Sequence, residues 1–455
     1  MNTRLNLLLM LSISAVLIQN AYSQQYNNWY FGTNAAISFN SGTPVALSGS
    51  QMIQVEGVAS ISDSSGKLLF YTDGYNVWNK LNTIMPNGMG LNGSNSSTQS
   101  AMIVPVPGSK KLFHVFTTPG GGTPIYYSQV DMSLDSGRGD INNVKNNIVQ
   151  NASGERLAIA YCTNRTDYWL VGHDLNDTFF AWKITASGID SIPVKSKCGA
   201  AGESIGYMKI SPDGRLLAQA NYQFFTAEVF NFDNQNGKVS NARTITGITK
   251  AYGIEFSSDS RKLFVTGCEV VPATIWQYDL SITSDSMMTA NARLVGGDSN
   301  NSIGALQLGP DHKIYVSRIN VYYLGCITNP DSLNSTLKYT DTAVNLQGGY
   351  CQYGLPVMLN PPLPKTALYE GAPQIHELKI YPNPAEDKVF IELDNAMMNE
   401  SSLITISDIS GRIILKKVHS NELKIEISTA EIPAGLYFIS MQLDGVNILK
   451  KFIIL

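Results

Sequence analysis

A hairpin unit that recurs along the middle of the chain constrains the fold more than any other sequence feature. In its clearest copy, the short strand 207–210, apolar except for Lys209, leads into the turn 211–215, and an alternating strand follows from Leu216. The turn reads Ser-Pro-Asp-Gly-Arg, in which proline presets φ, aspartate bonds its own backbone and glycine takes a positive φ. The sequence therefore predicts two antiparallel strands joined by a tight turn.

Further copies of this unit predict a repeat architecture. They cover residues 59–71, 102–116, 156–171, 253–279 and 305–317. The copies that begin at Tyr207, Gly253 and Ala305 are spaced by 46 and 52 residues. A hairpin cannot bury its own face, so units at this spacing must stack on one another. All-β units of this length are typical of a β-propeller with four strands in each blade.

The number of blades follows from the length of the middle region. Six units lie between about residues 51 and 330, and we expect a seventh that pairs residues 29–32 and 36–39 with residues 353–358. Roughly 340 residues over seven blades gives about 48 residues a blade, which fits the repeat. We therefore predict an all-β fold with a seven-bladed β-propeller over residues 24–360, and eight blades as the alternative.

The turns and the N-terminal half resemble known propeller families. The Pro-Asp-Gly turns resemble those of WD-repeat-like and YVTN-type propellers, although no Trp-Asp pair closes the strands. Residues 28–32, 56–63, 68–74 and 96–100 resemble propeller proteins of the Bacteroidetes surface. The resemblance implies the fold and a surface location, and it implies little about a ligand.

The N-terminus has the features of a secretory signal. Arg4 precedes an apolar run over residues 5–18, and the small residues Ala21 and Ser23 mark a cleavage site before Gln24. The run is too short for a comfortable membrane span, so we predict a signal peptide over residues 1–23, with an uncleaved anchor as the alternative. No later stretch reaches about 18 apolar residues, so we expect no transmembrane helix in the mature chain.

A separate C-terminal domain is predicted from a change in composition. Prolines cluster at residues 361–364, and we interpret residues 361–374 as a proline-rich linker. Seven short alternating strands follow over residues 375–455, which predicts a small immunoglobulin-like β-sandwich.

Four landmarks of this domain resemble the type A C-terminal sorting domain of the Bacteroidetes type IX secretion system. Their residues are Tyr381, Pro382, Asn383, Pro384, Gly411, Gly435, Tyr437, Lys450 and Lys451. An ordinary immunoglobulin-like module is the alternative, but it does not explain the terminal placement. The resemblance implies that the type IX machinery and its sortase are partners. It also implies transport through the outer membrane, followed by release or attachment to the cell surface.

Charge and cysteine content exclude some function classes. The net charge is -4 and only 15% of residues are charged, so the basic face that nucleic-acid binding requires is not expected. The five cysteines form no C-x-x-C motif, which makes a metal knuckle improbable on spacing. Proximity in sequence suggests disulfides between Cys326 and Cys351 and between Cys162 and Cys198, with buried free thiols as the alternative.

No sequence pattern indicates catalysis. The histidines are far apart, and no H-E-x-x-H, nucleophile elbow or phosphate-binding loop appears, so we predict no catalytic, cofactor or metal residues. An Arg-Gly-Asp tripeptide at 138–140 is more typical of a polar turn than of an adhesion site. Polar clusters at 56–57 and 203–204 are candidates for the mouth of the central channel.

Many aromatic residues occur on expected loops and strand ends. They are Tyr75, Trp78, Tyr161, Trp169, Tyr222, Phe224, Phe225, Tyr252, Tyr322, Tyr323 and Tyr350. Such side chains can stack on sugar rings, although we expect most of them to pack in the core.

These patterns favour a non-enzymatic surface or secreted protein whose propeller is a platform for a glycan or protein partner. The alternative is an extracellular hydrolase or lyase with its site at the channel mouth, which two carboxylates about 5–9 Å apart would favour. A third hypothesis is a structural role in adhesion without a small-molecule site.

The sorting hypothesis predicts cleavage between Pro361 and Ile380. Mass spectrometry of the mature protein in culture medium should therefore find no peptides beyond about Ile380, because the sorting domain is usually removed after transport. An intact C-terminus on the secreted protein would contradict the prediction.

Overall fold

The computed structural model describes residues 24–121, 123–200, 204–333, 335–359, 379–392, 402–408, 412–419, 424–443 and 446–455. The chain divides into two compact units, with the division between Leu363 and Pro364. Both units consist of antiparallel sheets. One short α-helix in the described residues, α1 (Asp285–Ala290), is capped by Ser284, whose side chain accepts a hydrogen bond from the Met287 N–H.

Seven sheets follow one another in the described part of the first unit. The first sheet contains β1 (Asn28–Phe31), β2 (Ala35–Ser38) and β3 (Val45–Ala46). The second contains β4 (Ala59–Ser62), β5 (Leu68–Thr72), β6 (Asn76–Asn79) and β7 (Ile84–Met89). The third contains β8 (Ala101–Pro105), β9 (Leu112–Thr117), β10 (Thr123–Asp131), β11 (Asp140–Ile141) and β12 (Asn147–Ser153). The fourth sheet contains β13 (Leu157–Tyr161), β14 (Tyr168–His173), β15 (Thr178–Thr185), β16 (Gly188–Ile189) and β17 (Val194–Lys197). The fifth contains β18 (Met208–Ile210), β19 (Leu216–Asn221), β20 (Thr226–Asp233) and β21 (Lys238–Thr246). The sixth sheet contains β22 (Ala251–Phe256), β23 (Lys262–Gly267), β24 (Ala273–Asp279) and β25 (Arg293–Asp298). The seventh contains β26 (Ile303–Leu308), β27 (Ile314–Arg318), β28 (Tyr323–Thr328) and β29 (Lys338–Asn345).

The predicted hairpin turns are confirmed. The turn 211–215 joins β18 to β19, and Asp213 Oδ1 accepts hydrogen bonds from Ser211 Oγ at 2.6 Å and from the Arg215 N–H at 3.1 Å. Gly214 has the positive φ of 73° that the motif predicts. In the sixth and seventh sheets Ser260 and His312 take this position with φ of 63° and 61°. The geometry of the turn therefore persists where glycine is replaced.

The first strands of the second to seventh sheets lie side by side around one axis. The Tyr207 N–H, just before β18, donates to the Tyr252 carbonyl of β22 at 2.8 Å. A Cβ on Gly253 of β22 would lie only 2.4 Å from the Gly304 carbonyl of β26. This radial arrangement of antiparallel sheets confirms the predicted β-propeller. The blade number of seven stays a prediction. The seven sheets described above would be the seven blades.

A segment at the end of the first unit, residues 350–357, closes the ring, and we call it the closing segment. The Tyr353 carbonyl accepts from the Ala305 N–H of β26 at 2.8 Å, and the Val357 N–H donates to the Val58 carbonyl, just before β4, at 3.0 Å. The segment thus lies between the inner strands of the seventh and second sheets. It occupies the position that an inner strand fills in the other sheets.

The predicted pairing of residues 353–358 with residues 29–32 and 36–39 is wrong, although a single bridge forms just outside these ranges. The first sheet contains only β1, β2 and β3, and one isolated bridge joins Thr33 to Tyr350. Pro356 has no N–H to donate to a ladder. Gly354 lies so close to the second sheet that a Cβ would be 1.9 Å from the Glu56 carbonyl. These two residues hold the segment against neighbouring sheets instead of continuing a ladder with β1.

A buried ion pair connects three inner strands. Lys209 Nζ of β18 lies 2.8 Å from Glu255 Oε2 of β22, and both residues are at most 5% exposed. Gln307 of β26 accepts a hydrogen bond from the same ammonium group, and the Leu308 N–H donates to Glu255 Oε2 at 3.0 Å. Each charge is compensated inside the ring, because an unpaired charge there would carry a large desolvation penalty.

The second unit is a β-sandwich, as predicted. One sheet contains β30 (Lys379–Tyr381), β31 (Lys388–Glu392) and β34 (Lys424–Ser428), and the other contains β32 (Ser402–Asp408), β33 (Ile413–His419), β35 (Gly435–Leu443) and β36 (Val446–Ile454). Their shared core includes Val389, Ile391, Ile406, Ile425 and Phe452. An immunoglobulin-like strand order stays a prediction.

The landmark that begins this unit holds its last strand. Asn383 Oδ1 accepts from the Ile453 N–H at 2.9 Å, and the Ala385 N–H donates to the Ile453 carbonyl at 2.7 Å. The Leu455 N–H then donates to the Ala385 carbonyl at 2.9 Å. The first and last landmarks therefore form one structural feature, which explains why they occur together.

The remaining landmarks have different environments. Tyr437 is buried, and its hydroxyl donates to the Pro433 carbonyl at 2.7 Å. Tyr381 donates to Glu392 at 2.7 Å, and Lys450 and Lys451 are exposed. Gly411 lies outside the described residues.

The buried ion pair predicts a large stability difference between two lysine substitutions. Lys209→Met leaves Glu255 buried without its cation and should lower the free energy of unfolding by about 3–5 kcal/mol. Lys197→Met is the control, since Lys197 is 78% exposed and 3.8 Å from Asp177; it should cost at most about 1 kcal/mol. Urea unfolding measures both values, and equal losses would contradict the assignment.

Candidate binding site at the mouth of the ring

At one end of the ring lie the loops and strand ends that can form a binding site. Consecutive strands are antiparallel, so the loop between the second and third strands lies at the same end as the start of the first strand. We call this end the mouth face. It comprises the residues just before the inner strands and the loops 73–75, 118–121, 174–177, 222–225, 268–272 and 319–322.

Exposed aromatic side chains of the first unit concentrate on the mouth face. In the described residues, the exposed large apolar side chains include four aromatics, and all four lie on these loops: Tyr75, Phe224, Phe225 and Tyr322. Their exposed fractions range from 47% to 55%. Loops at the opposite end expose aliphatic side chains instead: Leu81, Leu134, Ile192 and Leu333. The two ends of the ring therefore differ in the chemistry they present.

The other aromatic candidates from the sequence are in the interior or partly buried. Trp78, Trp169 and Tyr252 are at most 5% exposed. Tyr161, Tyr222, Tyr323 and Tyr350 are partly buried. Trp78 stacks on Tyr71 with ring centroids 5.2 Å apart, which is the packing role expected of most of this set.

Glu56 lies near the channel mouth, and two glutamates from other sheets, Glu155 and Glu269, act on it electrostatically. Glu56 precedes β4, and its Oε1 accepts a hydrogen bond from the Tyr252 hydroxyl at 3.0 Å. Burial raises the pKa of Glu56 to about 7, and the charges of Glu155 and Glu269 add to the increase. Glu155 is 8% exposed and accepts from the Thr98 N–H at 2.9 Å and from its hydroxyl at 3.1 Å.

Glu269 has a different electrostatic environment. It is exposed on the loop 268–272, and it accepts hydrogen bonds from the hydroxyls of Tyr222 and Tyr353 and from Lys250 Nζ. The Tyr222 hydrogen bond is the main cause that lowers the pKa of Glu269. At neutral pH this carboxylate is therefore ionised, whereas the raised pKa of Glu56 favours its protonated form.

Gln99 fixes the framework beneath the glutamates. Its Nε2 donates to the Leu157 and Met208 carbonyls at 2.8 and 3.2 Å, and its Oε1 accepts from the N–H groups of Leu157 and Met208 at 3.3 and 2.9 Å. One fully buried amide thus joins the third, fourth and fifth sheets. Glu155 and Glu269 could not be predicted as site residues from the sequence, because they come from separate repeats and follow no local motif, and Gln99 was noted only within the segment 96–100 of the family resemblance.

A cavity of about 360 Å³ opens on the mouth face between the second and third sheets. Its lining residues are Ile53, Gln54, Asp73, Tyr75, Gly93, Ser94 and Asn95.

All five cysteines are free thiols in the structure, so neither suggested disulfide is formed. The Cys162 N–H bonds to the Asp167 carbonyl, before β14, whereas the Cys198 N–H bonds to the Asp177 carbonyl, beyond its other end. The six residues of β14 span about 20 Å, far more than the roughly 4.4–6.8 Å between the Cα atoms of a disulfide.

The second pair is separated in a similar way. The Cys351 thiol lies 3.6 Å from the Tyr323 carbonyl at the start of β28. Cys326 lies farther along that strand, opposite Tyr315 of β27. Burial raises the pKa of both thiols to about 12, so they behave as small apolar side chains.

The Arg-Gly-Asp tripeptide has structural contacts that occupy both of its charged residues. Arg138 pairs with Asp135 at 2.6 Å. Asp140 is 7% exposed and accepts from the Asn87 N–H at 2.8 Å and from its side-chain amide at 2.7 Å. The tripeptide is therefore part of a turn rather than a presented adhesion motif.

The remaining predicted sites divide between described and undescribed residues. Ala21, Ser23 and the linker 361–374 lie outside the described residues, as does Glu203. Gln24 begins a short 3-10 turn. The described part of the chain contains no group of three or more metal-ligating side chains placed to hold an ion. It also contains no helix of the length and apolarity needed to cross a membrane.

Comparison with known proteins identifies the second unit. Residues 379–455 match the family described as the secretion system C-terminal sorting domain. The second unit is therefore a sorting domain of this family, and it directs the protein by type IX secretion to the cell surface or beyond. A search of curated proteins gives no match to the chain.

Solved structures similar to the chain are distant. Kluyveromyces lactis Hsv2 is 9% identical, with 67% of this chain and 91% of that chain covered and a TM-score of 0.41. The Pseudomonas aeruginosa periplasmic gluconolactonase PpgL is 12% identical, with 88% and 98% covered and a TM-score of 0.38. A Lactobacillus plantarum protein is 13% identical, with 82% and 98% covered and a TM-score of 0.39.

The raised pKa of Glu56 predicts a pH-dependent stability difference. The folded-state pKa of about 7 exceeds the ordinary 4.5, so the folded protein retains a proton that the unfolded chain releases. Relative to Glu56→Gln, the wild-type free energy of unfolding should fall as pH rises from 4.5 to 7, by up to about 1.4 kcal/mol per pH unit, and level off above pH 7.

Chemical unfolding at several pH values measures this difference. Asp177→Asn is the control for replacing a carboxylate by an amide, because Asp177 is 43% exposed. A difference between wild type and Glu56→Gln that is flat from pH 4.5 to 7 would contradict the assigned environment of Glu56.

Proposed function

We propose that the exported propeller binds an extracellular glycan or protein partner through its mouth face. The observation that carries the proposal is the placement of Tyr75, Phe224, Phe225 and Tyr322 on loops of this one end. When a partner covers them, exposed aromatic side chains supply large, rigid contact areas at low entropic cost.

The framework of the ring supports a binding role. The loops that carry the aromatics connect buried strands, and Gln99 and the closing segment fix the inner strands to one another. A rigid surface of this kind loses little conformational entropy when a partner binds. We further propose that residues 1–23 are removed as a signal peptide and that the product is released or surface-attached after cleavage within residues 361–380.

The proposal predicts that mouth-face aromatics control partner binding. The mature chain from Gln24 should be tested on glycan and peptide arrays, and then compared with the double variant Phe224→Ser/Tyr322→Ser. Loss of two aromatic contacts should weaken binding by at least about tenfold, because each is worth roughly 1 kcal/mol or more.

The matched control carries two substitutions on the opposite end of the ring, Leu134→Ser and Ile192→Ser. Both residues are exposed, so these changes remove apolar surface without disturbing the core. Binding that is unchanged in the mouth-face variant but lost in the control would overturn the proposal.

A second candidate function is hydrolysis or elimination on an extracellular polymer. The observation that favours it is Glu56, whose pKa of about 7 suits a general acid and which lies near the carboxylates of Glu155 and Glu269. Turnover in a polysaccharide and peptide screen that survives purification and falls at least about 100-fold in Glu56→Gln would support this candidate. Turnover that is unchanged in Glu56→Gln would exclude Glu56 as the acid.

A further inference from the structure

The cavity of the mouth face has the size of a small-ligand subsite. Its volume of about 360 Å³ is near the lower end of the roughly 300–1,000 Å³ that ligand pockets occupy. It lies between the loop 73–75 and residues 93–95, with Ile53 and Gln54 completing the lining. A site of this size suits one ring of a ligand rather than a long segment.

One wall of the cavity is aromatic. The Tyr75 side chain is 53% exposed, and its backbone N–H donates to Asp73 Oδ1 at 2.8 Å, which fixes the residue in the loop. Ile53, which is 70% exposed, adds a second apolar group to the same lining. Together they offer a surface for the apolar C–H face of a ligand ring.

The other lining groups are polar and have unused hydrogen-bonding capacity. Asp73 is 8% exposed; its Oδ1 accepts from two backbone N–H groups, at 2.8 and 2.5 Å. Within the described chain, its Oδ2 accepts only from Asn76 Nδ2 at 3.4 Å, although a carboxylate has about four acceptor positions. Asn95 is exposed, and its amide forms no hydrogen bond with the described residues.

The walls are fixed without a ligand. Gln54 is 2% exposed, and its Nε2 donates to the carbonyls of Gly57, Asp73 and Ser94 at 3.0–3.1 Å. The Gly93 N–H donates to the Gly74 carbonyl at 2.8 Å. Because these bonds tie the three lining segments together, a ligand would find the cavity already formed.

We infer that this cavity is a subsite for one neutral sugar ring of a glycan partner. A sugar ring has an apolar C–H face that fits against Tyr75 and a rim of hydroxyls that can donate to Asp73 Oδ2 and exchange hydrogen bonds with Asn95. This inference rests on the proposed function of the mouth face and identifies its partner as a carbohydrate. A peptide would present no comparable ring with both an apolar face and a hydroxyl rim.

The test uses the chain without its signal segment, Gln24 to Leu455, with D-glucose, D-galactose, D-mannose and N-acetylglucosamine, each titrated separately in saturation-transfer NMR. At least one should bind, with weak affinity. Tyr75→Ala should weaken this binding about three- to tenfold through loss of the stacking surface, whereas Tyr75→Phe should retain it. Asn95→Ala should weaken it about fivefold, and Leu81→Ala, an exposed change at the other end of the same sheet, should have no effect.

The outcomes distinguish the subsite from the broader function. Absence of binding by all four sugars, or sugar binding that is unchanged in both Tyr75→Ala and Asn95→Ala, would overturn the subsite. If array binding still falls in Phe224→Ser/Tyr322→Ser, the mouth face remains a binding surface without this subsite. If sugar binding depends on Tyr75 but array binding is unchanged in Phe224→Ser/Tyr322→Ser, the subsite is supported. The proposed role of the wider mouth face is then contradicted.

Discussion

The closing segment is the feature on which the rest of the first unit depends. The Tyr353 carbonyl accepts a hydrogen bond from the Ala305 N–H and the Val357 N–H donates to the Val58 carbonyl, which connects the inner edges of the seventh and second sheets. Without these bonds the two edges would be left open at the seam. An open edge of buried strands would expose unpaired backbone groups and invite association with other chains. The same segment brings Tyr353 to Glu269, so the closure of the ring also helps to shape the mouth face.

Polar groups inside the ring have two separate roles. Away from the mouth, Lys209 and Glu255 neutralise one another and connect inner strands, which is a structural use of charge. At the mouth, Glu56 lies in an environment that favours its protonated form, while hydrogen bonds keep Glu269 ionised. A carboxyl whose pKa is raised in the folded state lowers stability once it ionises, and residues of this kind cluster at functional sites. This contrast, together with the exposed aromatics, directs attention to the mouth face rather than the opposite end.

Local chemistry explains which features the sequence could predict. The turns at Ser211, Ser257 and Gly309 were identifiable because each has an aspartate at its third position, preceded by proline in two of them, and the sandwich strands were identifiable because alternation is a local pattern. The closing segment was placed against the wrong strands because Gly354 and Pro356 act through contacts with distant sheets. The predicted disulfides were wrong for a related reason. A strand that lies between two residues close in sequence can place them at opposite ends of a sheet. Of the mouth glutamates only Glu56 was noticed, because the cluster forms only when three repeats converge.

The central claim is that the mouth face, and not the opposite end of the ring, contacts the partner. Hydrogen–deuterium exchange of the mature chain, with and without the glycan that binds most strongly on the array, tests this claim most directly. We predict slower exchange in the loops 73–75, 222–225, 268–272 and 319–322. Protection confined to the turns 211–215, 257–261 and 309–313 at the other end would contradict it.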